Sequence, residues 1–291
     1  MPKQHRVSLA FLCLAVALVP FVTSASPAGA AAPTCGFNPQ FERRDFTRPT
    51  IINNKWLPLL PGMEFTLEGR ANRGGGALPH KVVLTVTDVT KVIDGVRTVV
   101  LWDVDIQDGI LAEAELAFHA QDDDGNVWGL GEYPEEYDNG KFVGAPKTWI
   151  SGVADARGGF ALIGRPEVRG PRYLQAFAPA IDFLDCAQVF ARDQRVCVPA
   201  GCYDDVLITD ETSPLASQTA HQHKYYAPGV GNVQISAVDD PEGETLVLVK
   251  AQHLGATALA HARREALRLD RRGYRFSEVY RHTAPAEHTP R

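Results

Sequence analysis

Residues 92–140 have the sequence VIDGVRTVVLWDVDIQDGILAEAELAFHAQDDDGNVWGLGEYPEEYDNG, in which turn dipeptides recur at spacings of 14, 16 and 15 residues. The four dipeptides are Asp94-Gly95, Asp108-Gly109, Asp124-Gly125 and Asn139-Gly140. Asp-Gly and Asn-Gly are preferred in two-residue type I′ turns, because both central residues take positive φ there and the turn matches the twist of the strands. Since Val, Thr, Leu and aromatic residues fill the intervals, the stretch predicts a β-meander.

Each interval leaves room for strands of about ten to twelve residues, longer than the usual five or six. Long neighbouring strands twist strongly and tend to coil. We therefore predict a mainly β protein, a long-stranded antiparallel meander that forms a curved sheet or half-barrel, with one C-terminal α-helix. Its first strands are predicted over residues 63–69, 81–93, 96–107, 110–121, 127–137 and 141–144.

A second group of β segments follows a Gly-rich stretch, residues 152–168, which is predicted to be a loop or crossover. Its strands are predicted over residues 183–190, 196–199, 203–209, 221–226, 230–236 and 245–250. The first two are interpreted as the arms of a hairpin that turns near Asp193. The similar strand content of both groups favours one continuous sheet.

The end of the chain changes its hydrophobic period. Leu259, Ala262, Ala266 and Leu269 recur at three- and four-residue steps, which predicts a helix over residues 256–272 with Gly273 as its C-terminal cap. The domain prediction is a β domain over residues 31–252, the helix and its extension over 253–280, and a disordered tail over 281–291.

The predicted helix is basic on its other faces. Five arginines stand there against two acidic residues, a local charge of +3: Arg263, Arg264, Arg268, Arg271 and Arg272 against Glu265 and Asp270. This pattern is typical of a solvated face, and contact with an anionic cell envelope is the alternative interpretation.

Residues 1–30 have the layout of a secretory signal peptide. Lys3 and Arg6 precede an apolar run, and Ala28-Gly29-Ala30 supplies the small residues of a cleavage site. Removal of this segment takes away two of the 29 basic residues and none of the 35 acidic ones, which leaves a net charge of −8. We therefore expect a secreted or envelope-located protein with no transmembrane segment in the mature chain and no nucleic-acid partner.

Four cysteines remain in the mature chain: Cys35, Cys186, Cys197 and Cys202. An even count in an exported protein predicts two disulfides. A hairpin turning near Asp193 would pair Cys186 with Cys202 and leave Cys35 for Cys197. A bond from Cys197 to Cys202 across the short turn between them is the competing prediction, and the sequence leaves both open.

Three sequence elements occur in a fixed order: AQDDDGNVW at residues 120–128, VPAGCYD at 198–204 and HKYYAPGVG at 223–231. On these elements the chain, from about residue 49 to residue 250, resembles a family of uncharacterised secreted bacterial proteins, often actinobacterial. The resemblance implies an exported bacterial β protein and no particular activity. The second and third elements also resemble, more loosely, the curved sheets of periplasmic lipoprotein-carrier and lipid-binding half-barrels, an analogy of fold that does not imply function.

Two groups of residues are candidates for metal binding. Asp122 and Asp124 offer the oxygen ligands that calcium prefers, although their spacing does not match an EF-hand and aspartates also form turns through their own backbone. His221 and His223 lie two apart in a predicted strand, so they share a face and could bind zinc or copper with His119 or His253 as a third ligand. A polar edge strand has the same pattern.

One predicted strand carries Glu113, Glu115 and His119 on a single face. A two-residue turn at residues 108–109 places Glu115 opposite Trp102 and Glu113 opposite Val104, and His119 falls near Gly129. Such a face suits a binding pocket or an acid–base pair, and equally a solvent-facing side. The predicted ligand-binding residues on the concave side of the sheet are Trp102, Glu115, Phe118, His119, Trp128 and Tyr133.

The favoured function is a secreted or envelope-associated, non-catalytic protein that binds a small apolar or amphipathic molecule in the concave face of the sheet. A metal-dependent secreted enzyme that uses the histidines is one alternative, and a structural or interaction protein of the cell envelope is another. No catalytic residue is assigned, because the sequence contains no nucleophile elbow, phosphate-binding loop or H-E-x-x-H motif. No cofactor is expected apart from the calcium, zinc or copper just considered.

Overall fold

The computed structural model of the protein describes residues 34–73, 76–215, 217, 219–240 and 242–289. The predicted signal peptide lies outside the described residues. Strands follow one another along the chain, and one α-helix comes near its end, so the predicted fold class is confirmed. The strands are β1 (Met63–Asn72), β2 (Ala77–Ile93), β3 (Val96–Gln107), β4 (Ile110–Gln121), β5 (Val127–Asp138), β6 (Lys141–Gly144), β7 (Trp149–Ile150), β8 (Arg157–Leu162), β9 (Tyr173–Ala178), β10 (Phe183–Val198), β11 (Gly201–Thr212), β12 (His221–Ala227), β13 (Gly231–Val238), β14 (Thr245–His253) and β15 (Glu287–His288); the helix is α1 (Ala256–Phe276).

Twelve of these strands form a closed antiparallel barrel. Their order around the barrel is β1-β14-β13-β12-β11-β10-β9-β8-β5-β4-β3-β2. Closure comes from β1, which pairs with β14 on one side and with β2 on the other. The short strands β6 and β7 pair with β5, and β15 pairs with β2. The predicted curved sheet thus closes on itself.

Three of the four turn dipeptides have the backbone that their sequence predicts. Asp94, Asp108 and Asn139 have φ values of 48°, 49° and 48°, and the glycine after each has a φ between 73° and 79°. Both central residues are therefore in the left-handed region, as type I′ turns require. The fourth dipeptide lies in a wider loop, where Gly125 has a φ of 84°.

The middle of the chain departs from the prediction in two places. The stretch interpreted as a loop contains β8, whose Gly158 and Gly159 are there for packing: a Cβ on either would lie 2.4 Å or less from a neighbouring carbonyl oxygen. The predicted hairpin at Asp193 is wrong, because β10 runs through it as one strand. Asp193 has a φ of 56°, and irregular register in the pairing with β11 accommodates it without a turn.

Helix α1 packs on the outer side of the barrel against β2, β3 and β4. Ala262, Ala266 and Leu269 are buried, as predicted. The helix does not end at Gly273, which is buried within it. A Cβ at this position would lie 2.4 Å from the ring of Tyr280, so this glycine allows close packing instead of capping the helix.

The chain after α1 is ordered where the structure describes it, so the prediction of a disordered tail is wrong for residues 281–289. Tyr280 is fully buried, and Glu287 and His288 pair with Thr90 and Val89 of β2. This segment fastens the end of the helix to the barrel.

The N-terminal segment, residues 34–62, closes one end of the barrel interior. Ile52 and Leu59 are buried among inward side chains such as Val99 and Leu101. Backbone and side-chain bonds join the segment to the surrounding loops and strands: Asn54 Nδ2 donates to Gly125 O at 2.9 Å, Gly229 N to Lys55 O at 2.8 Å, and Trp56 Nε1 to Asp205 O at 3.0 Å. The interior is therefore hydrophobic at this end.

Two disulfides join the four mature cysteines, Cys35 with Cys186 and Cys197 with Cys202. The bond across the short turn was the competing prediction and is the one present. The pairing of Cys186 with Cys202 and of Cys35 with Cys197 is wrong, because it depended on a hairpin at Asp193 that does not form. Two disulfides fit the predicted location, secreted or in the cell envelope.

Candidate functional site

Carboxylates from adjacent strands face one another inside the barrel. Asp103 of β3 lies directly opposite Glu115 of β4, and Asp105 lies opposite Glu113. The next strand adds Glu132, which shares a cavity with Glu113 and Glu115. Like charges directly opposite on neighbouring strands are destabilising, so this arrangement needs a compensating partner or a proton.

A β-bulge in β4 creates these pairs. Near the turn, Ile106 lies opposite Leu111, whereas Asp105 lies opposite Glu113, so Ala112 is an extra residue without a cross-strand partner. The prediction that Glu115 faces Trp102 and Glu113 faces Val104 is therefore wrong by one residue. The predicted proximity of His119 to Gly129 is confirmed.

These carboxyl groups hold protons unusually tightly. Burial, together with repulsion from Asp105 and Glu113, raises the pKa of Asp103 to about 8. Burial raises the pKa of Glu132 to about 7 against the opposing effect of the Trp149 indole, which donates to it at 2.8 Å. Burial and the nearby Glu132 also raise the pKa of Glu115 well above its ordinary value. Oδ1 of Asp103 is buried without a hydrogen-bond partner among the described residues. A backbone hydrogen bond from Val104 and the charge of the nearby His80 act in the opposite direction but do not outweigh burial.

Asp105, two residues away from Asp103, has two cationic partners. His80 Nε2 lies 2.7 Å from its Oδ1, and Arg73 Nη2 lies 2.7 Å from its Oδ2. The other ring nitrogen of His80 lies 3.2 Å from Glu244 Oε1. Burial alone would lower the pKa of His80, but hydrogen bonding to the two carboxylates raises it to about 9, so this imidazole is positively charged at neutral pH.

A second ion pair reaches the interior from the opposite wall. Lys224 Nζ of β12 lies 2.8 Å from Glu211 Oε2, and the other oxygen of Glu211 accepts from Thr209 at 2.8 Å and from Tyr226 at 3.3 Å. Nearby, Asp185 accepts a hydrogen bond from Ser213, and burial raises the pKa of Asp185 to about 6. Lys224 thus forms its ion pair with Glu211.

These groups line three cavities. A cavity of about 260 Å³ has hydrophobic walls, among them Leu57, Phe65, Leu84 and Leu246, and its polar lining includes Asp103. A second, of about 320 Å³, contains Asp185 and Glu211, and a third, of about 340 Å³, contains the three inward glutamates of β4 and β5. Lys224 lines the first and second cavities, and Ser213 lines the second and third.

Charge in the third cavity is unbalanced. Lys147 is the one Lys or Arg residue in its described lining, and the exposed side chain of Lys147 lies 3.4 Å from Glu136. The charged half of the barrel interior, defined here by Asp103, Glu113, Glu115 and Glu132, therefore contains more carboxyl groups than the cationic side chains of the described residues pair with. We call these four residues the acidic interior.

Of the six predicted ligand-binding residues, four do not face the interior. Trp102, Phe118, Trp128 and Tyr133 lie on the outer side of the sheet, covered by α1, the segment after it or the N-terminal segment. Only Glu115 and His119 point inward. Burial lowers the pKa of His119 to about 4, because it lies near the hydrophobic end of the barrel.

His221 and His223 lie on one face of β12, as expected, and that face is the outside of the barrel. Both approach Asp210 Oδ1, at 2.9 and 3.6 Å, and Arg172 Nη2 binds the other oxygen of Asp210 at 2.6 Å. His119 is on the other side of the sheet, and His253 lines a different cavity, with Asp88 and Thr289. The structure therefore does not bring the predicted third ligands to this pair.

The aspartates of the calcium prediction form a turn. Asp122 accepts hydrogen bonds from the backbone of Asp124 and Asn126, from the Asn126 side chain and from Trp128 Nε1, at 2.8 to 3.1 Å. The side chain of Asp124 is exposed and accepts none of these hydrogen bonds. Within the described residues, no group of three or more His, Cys, Asp or Glu side chains is arranged to hold a metal ion.

Several residues of the site were not predicted. The residues not predicted to bind a ligand are His80, Asp103, Asp105, Glu132 and Lys224. The alternation Trp102-Asp103-Val104-Asp105, which is one apolar and one acidic face of a single strand, was the available signal.

In the described part of the chain, no helix is long and apolar enough to cross a membrane.

Comparison with known proteins finds only low similarity, in sequence and in structure. No family model and no curated protein matches the chain, so its resemblance to a family of secreted bacterial proteins stays a prediction. Two solved structures are similar. A protein from Bacteroides fragilis, described as exported and as having a YmcC-like fold, is 13% identical with a TM-score of 0.35. A protein from Parabacteroides distasonis, described as a lipoprotein, is 14% identical with a TM-score of 0.31; in both cases the match covers 68% of this chain and 99% of the other.

Proposed function

We propose that the protein is an exported binding protein whose barrel interior takes up a small amphipathic amine. The observation that carries the proposal is the inward pair of Asp103 and Glu115, set beside Glu113 and Glu132. Among the described residues these carboxyl groups lack sufficient counter-charge, and a ligand ammonium would supply it. Charged groups inside a low-dielectric cavity interact strongly, so one well-placed cation replaces the protons that hold the empty site neutral.

The walls of the 260 Å³ cavity suit the hydrophobic part of the ligand. Leu57, Phe65, Leu84 and Leu246 line this cavity, and Asp103 is among its polar lining residues. Ligand pockets are commonly apolar with a few polar groups that fix orientation. An alkyl or aryl group would lie against the hydrophobic walls with its ammonium toward Asp103 and Glu115. This narrows the apolar or amphipathic ligand predicted from the sequence to a positively charged one.

The proposal is tested with octylammonium as the probe, and with octanoate and octanol as matched compounds that lack the positive charge. We expect octylammonium to raise the melting temperature of the purified protein, because a ligand at 100 times its Kd stabilises the folded state by about 2.7 kcal/mol. Octanoate should have no such effect. Calorimetry at pH 7 in buffers of different ionisation enthalpy should show proton release on binding, because Asp103 carries a proton in the empty site.

The variant Asp103→Asn/Glu115→Gln should lose this stabilisation while it keeps the fold, since the amides mimic the protonated acids. Asp155→Asn/Glu167→Gln removes two exposed carboxylates and is the matched control. Equal responses to octylammonium and octanol, or loss of the response in both variants, would contradict the proposal. Stabilisation by calcium or zinc alone that depends on Asp103 would assign the acidic interior to a metal instead.

The predicted contact of the C-terminal helix with an anionic envelope concerns a different surface, the outer face of α1.

A further inference from the structure

The arginines of α1 fall into two groups with different partners. Arg263 binds Asp88 through two hydrogen bonds, and Arg272 Nε binds both oxygens of Glu135 at 2.7 and 3.0 Å. Both are partly buried against the barrel. Their charges are neutralised within the fold, so they attach the helix to the sheet.

The second group faces solvent. Arg264, Arg268, Arg271 and Arg275 are all exposed and follow one another at steps of four, three and four residues. This spacing forms one stripe along the helix, on the side opposite the buried stripe that contains Ala262. We call these four residues the arginine stripe. It extends over about 16 Å of the helix axis.

Most of the arginine stripe lacks a counter-charge. Arg268 pairs with Glu265 at 2.8 Å, whereas Arg264, Arg271 and Arg275 have no carboxylate within ion-pair distance among the described residues. Like charges three and four residues apart weaken a helix. A protein whose mature chain is acidic does not need this concentration of positive charge for solubility, so the stripe is better explained by a partner.

Exposed hydrophobic side chains lie beside the C-terminal end of the stripe. Phe276 is 48% exposed and packs on Phe142 of β6, with ring centroids 4.6 Å apart. The neighbouring Val143 is 62% exposed, and the guanidinium of Arg272 lies over both rings. Basic and aromatic side chains side by side are typical of a surface that enters the headgroup region of a membrane.

We infer that the arginine stripe, with Phe276 and Val143, docks the protein on a bilayer that contains anionic phospholipid. Each guanidinium offers paired N–H donors that match two phosphate oxygens, so a row of arginines suits a surface of phosphate headgroups. The aromatic and aliphatic side chains at its end would enter the interface below the headgroups. This inference does not depend on what the barrel interior binds.

The test is co-sedimentation of the purified exported protein with vesicles of phosphatidylglycerol and phosphatidylcholine, and with vesicles of phosphatidylcholine alone. We expect binding to the anionic vesicles that weakens as salt is raised, and little binding to the neutral ones. The variant Arg264→Gln/Arg271→Gln/Arg275→Gln should bind at least about tenfold more weakly, since each basic residue near such a surface contributes about fivefold. Phe276→Ser should reduce binding at high salt, where the apolar contact remains.

The matched control is Arg165→Gln/Arg195→Gln/Lys250→Gln, which lowers the net charge equally by changing exposed residues outside α1. It should bind nearly as well as the unchanged protein. Equal losses in the two triple variants would show a net-charge effect and overturn the inference. So would binding to soluble polyphosphate or polyglutamate without binding to vesicles, which would make the stripe a site for a soluble polyanion.

Discussion

Asp103 and Asp105 are two residues apart on one strand and point into the same interior, yet their surroundings differ. Asp105 contacts a charged imidazole and a guanidinium, whereas Oδ1 of Asp103 is buried without a partner among the described residues. Desolvation favours the neutral form of an acid, and a nearby cation favours the charged form. Because of this difference, we expect a cationic ligand to pair with Asp103 and not with Asp105.

The pH dependence of stability should report on Asp103. Its pKa is about 8 in the folded protein and 3.8 in ordinary surroundings, so between these values the folded state holds a proton that the unfolded state releases. Stability that this group contributes is therefore present at low pH and is lost as the pH rises toward 8. Asp103→Asn removes the titration, and we expect the variant to melt about 2–4 °C above the unchanged protein at pH 8 but not at pH 5.

Thermal unfolding at both pH values measures this difference. His80, with a raised pKa, also loses stabilisation as the pH rises, but it is present in both proteins and cancels in the comparison. Asp155→Asn, at an exposed site, should show no pH-dependent difference. A variant that is less stable than the unchanged protein at pH 8 would mean that the charged form of Asp103 is stabilised.

At the scale of elements, the sequence predicts the regular strands but not the irregular ones. The bounds of β3, β4 and β6 agree with the prediction, and a type I′ turn fixes at least one end of each. The bulge at Ala112 carries no such marker, and it shifts the register by one residue. Glycines in β8 and the left-handed Asp193 in β10 were interpreted as loop and turn signals, although tertiary contacts hold both segments in strands.

Helix α1 should depend on the missing side chain of Gly273. Alanine favours helices by up to about 1 kcal/mol over glycine, but here its Cβ would overlap the ring of Tyr280. Because overpacking a core costs about 1–3 kcal/mol, we expect Gly273→Ala to lower the free energy of unfolding by roughly 1–2 kcal/mol. Gly255→Ala, at the N-terminal end of the helix with open space around it, is the control and should change stability by less than about 1 kcal/mol. Denaturant titration of both variants checks this, and a stabilised Gly273→Ala protein would contradict the packing described.

At the scale of the whole molecule, closure of the barrel decides which residues form the site. The sequence places Glu113, Glu115 and His119 on one face of β4, but it does not decide whether that face points to the interior or to solvent. Lys224 and Asp185 reach the same interior from the opposite wall, more than 60 residues beyond the end of β4 along the chain. Only the strand order shows that they face Glu132. The covered aromatics were misplaced for a related reason, because the sequence does not say on which side of the sheet α1 packs.

The two disulfides should contribute unequally. Cys35 and Cys186 are 151 residues apart, whereas Cys197 and Cys202 are 5 apart. In the loop-entropy description, cross-links of these sizes stabilise by about 5 and about 2 kcal/mol. Cys35→Ala/Cys186→Ala should therefore reduce the free energy of unfolding clearly more than Cys197→Ala/Cys202→Ala does. Equal losses, measured by denaturant unfolding under identical buffers, would mean that the long-range bond does not restrict the unfolded chain.

Pairing of β1 with β14 has a kinetic consequence. Met63 lies opposite His253, so the barrel can close only after nearly all of its strands have left the export machinery. The hairpins of β2 to β5 can form early, because their contacts are local, whereas this last seam joins distant parts of the chain and should set the folding rate. Until it forms, β1 and β14 each expose an unpaired edge that can associate with another chain. After export, slow seam formation should therefore be the stage at which aggregation competes with folding.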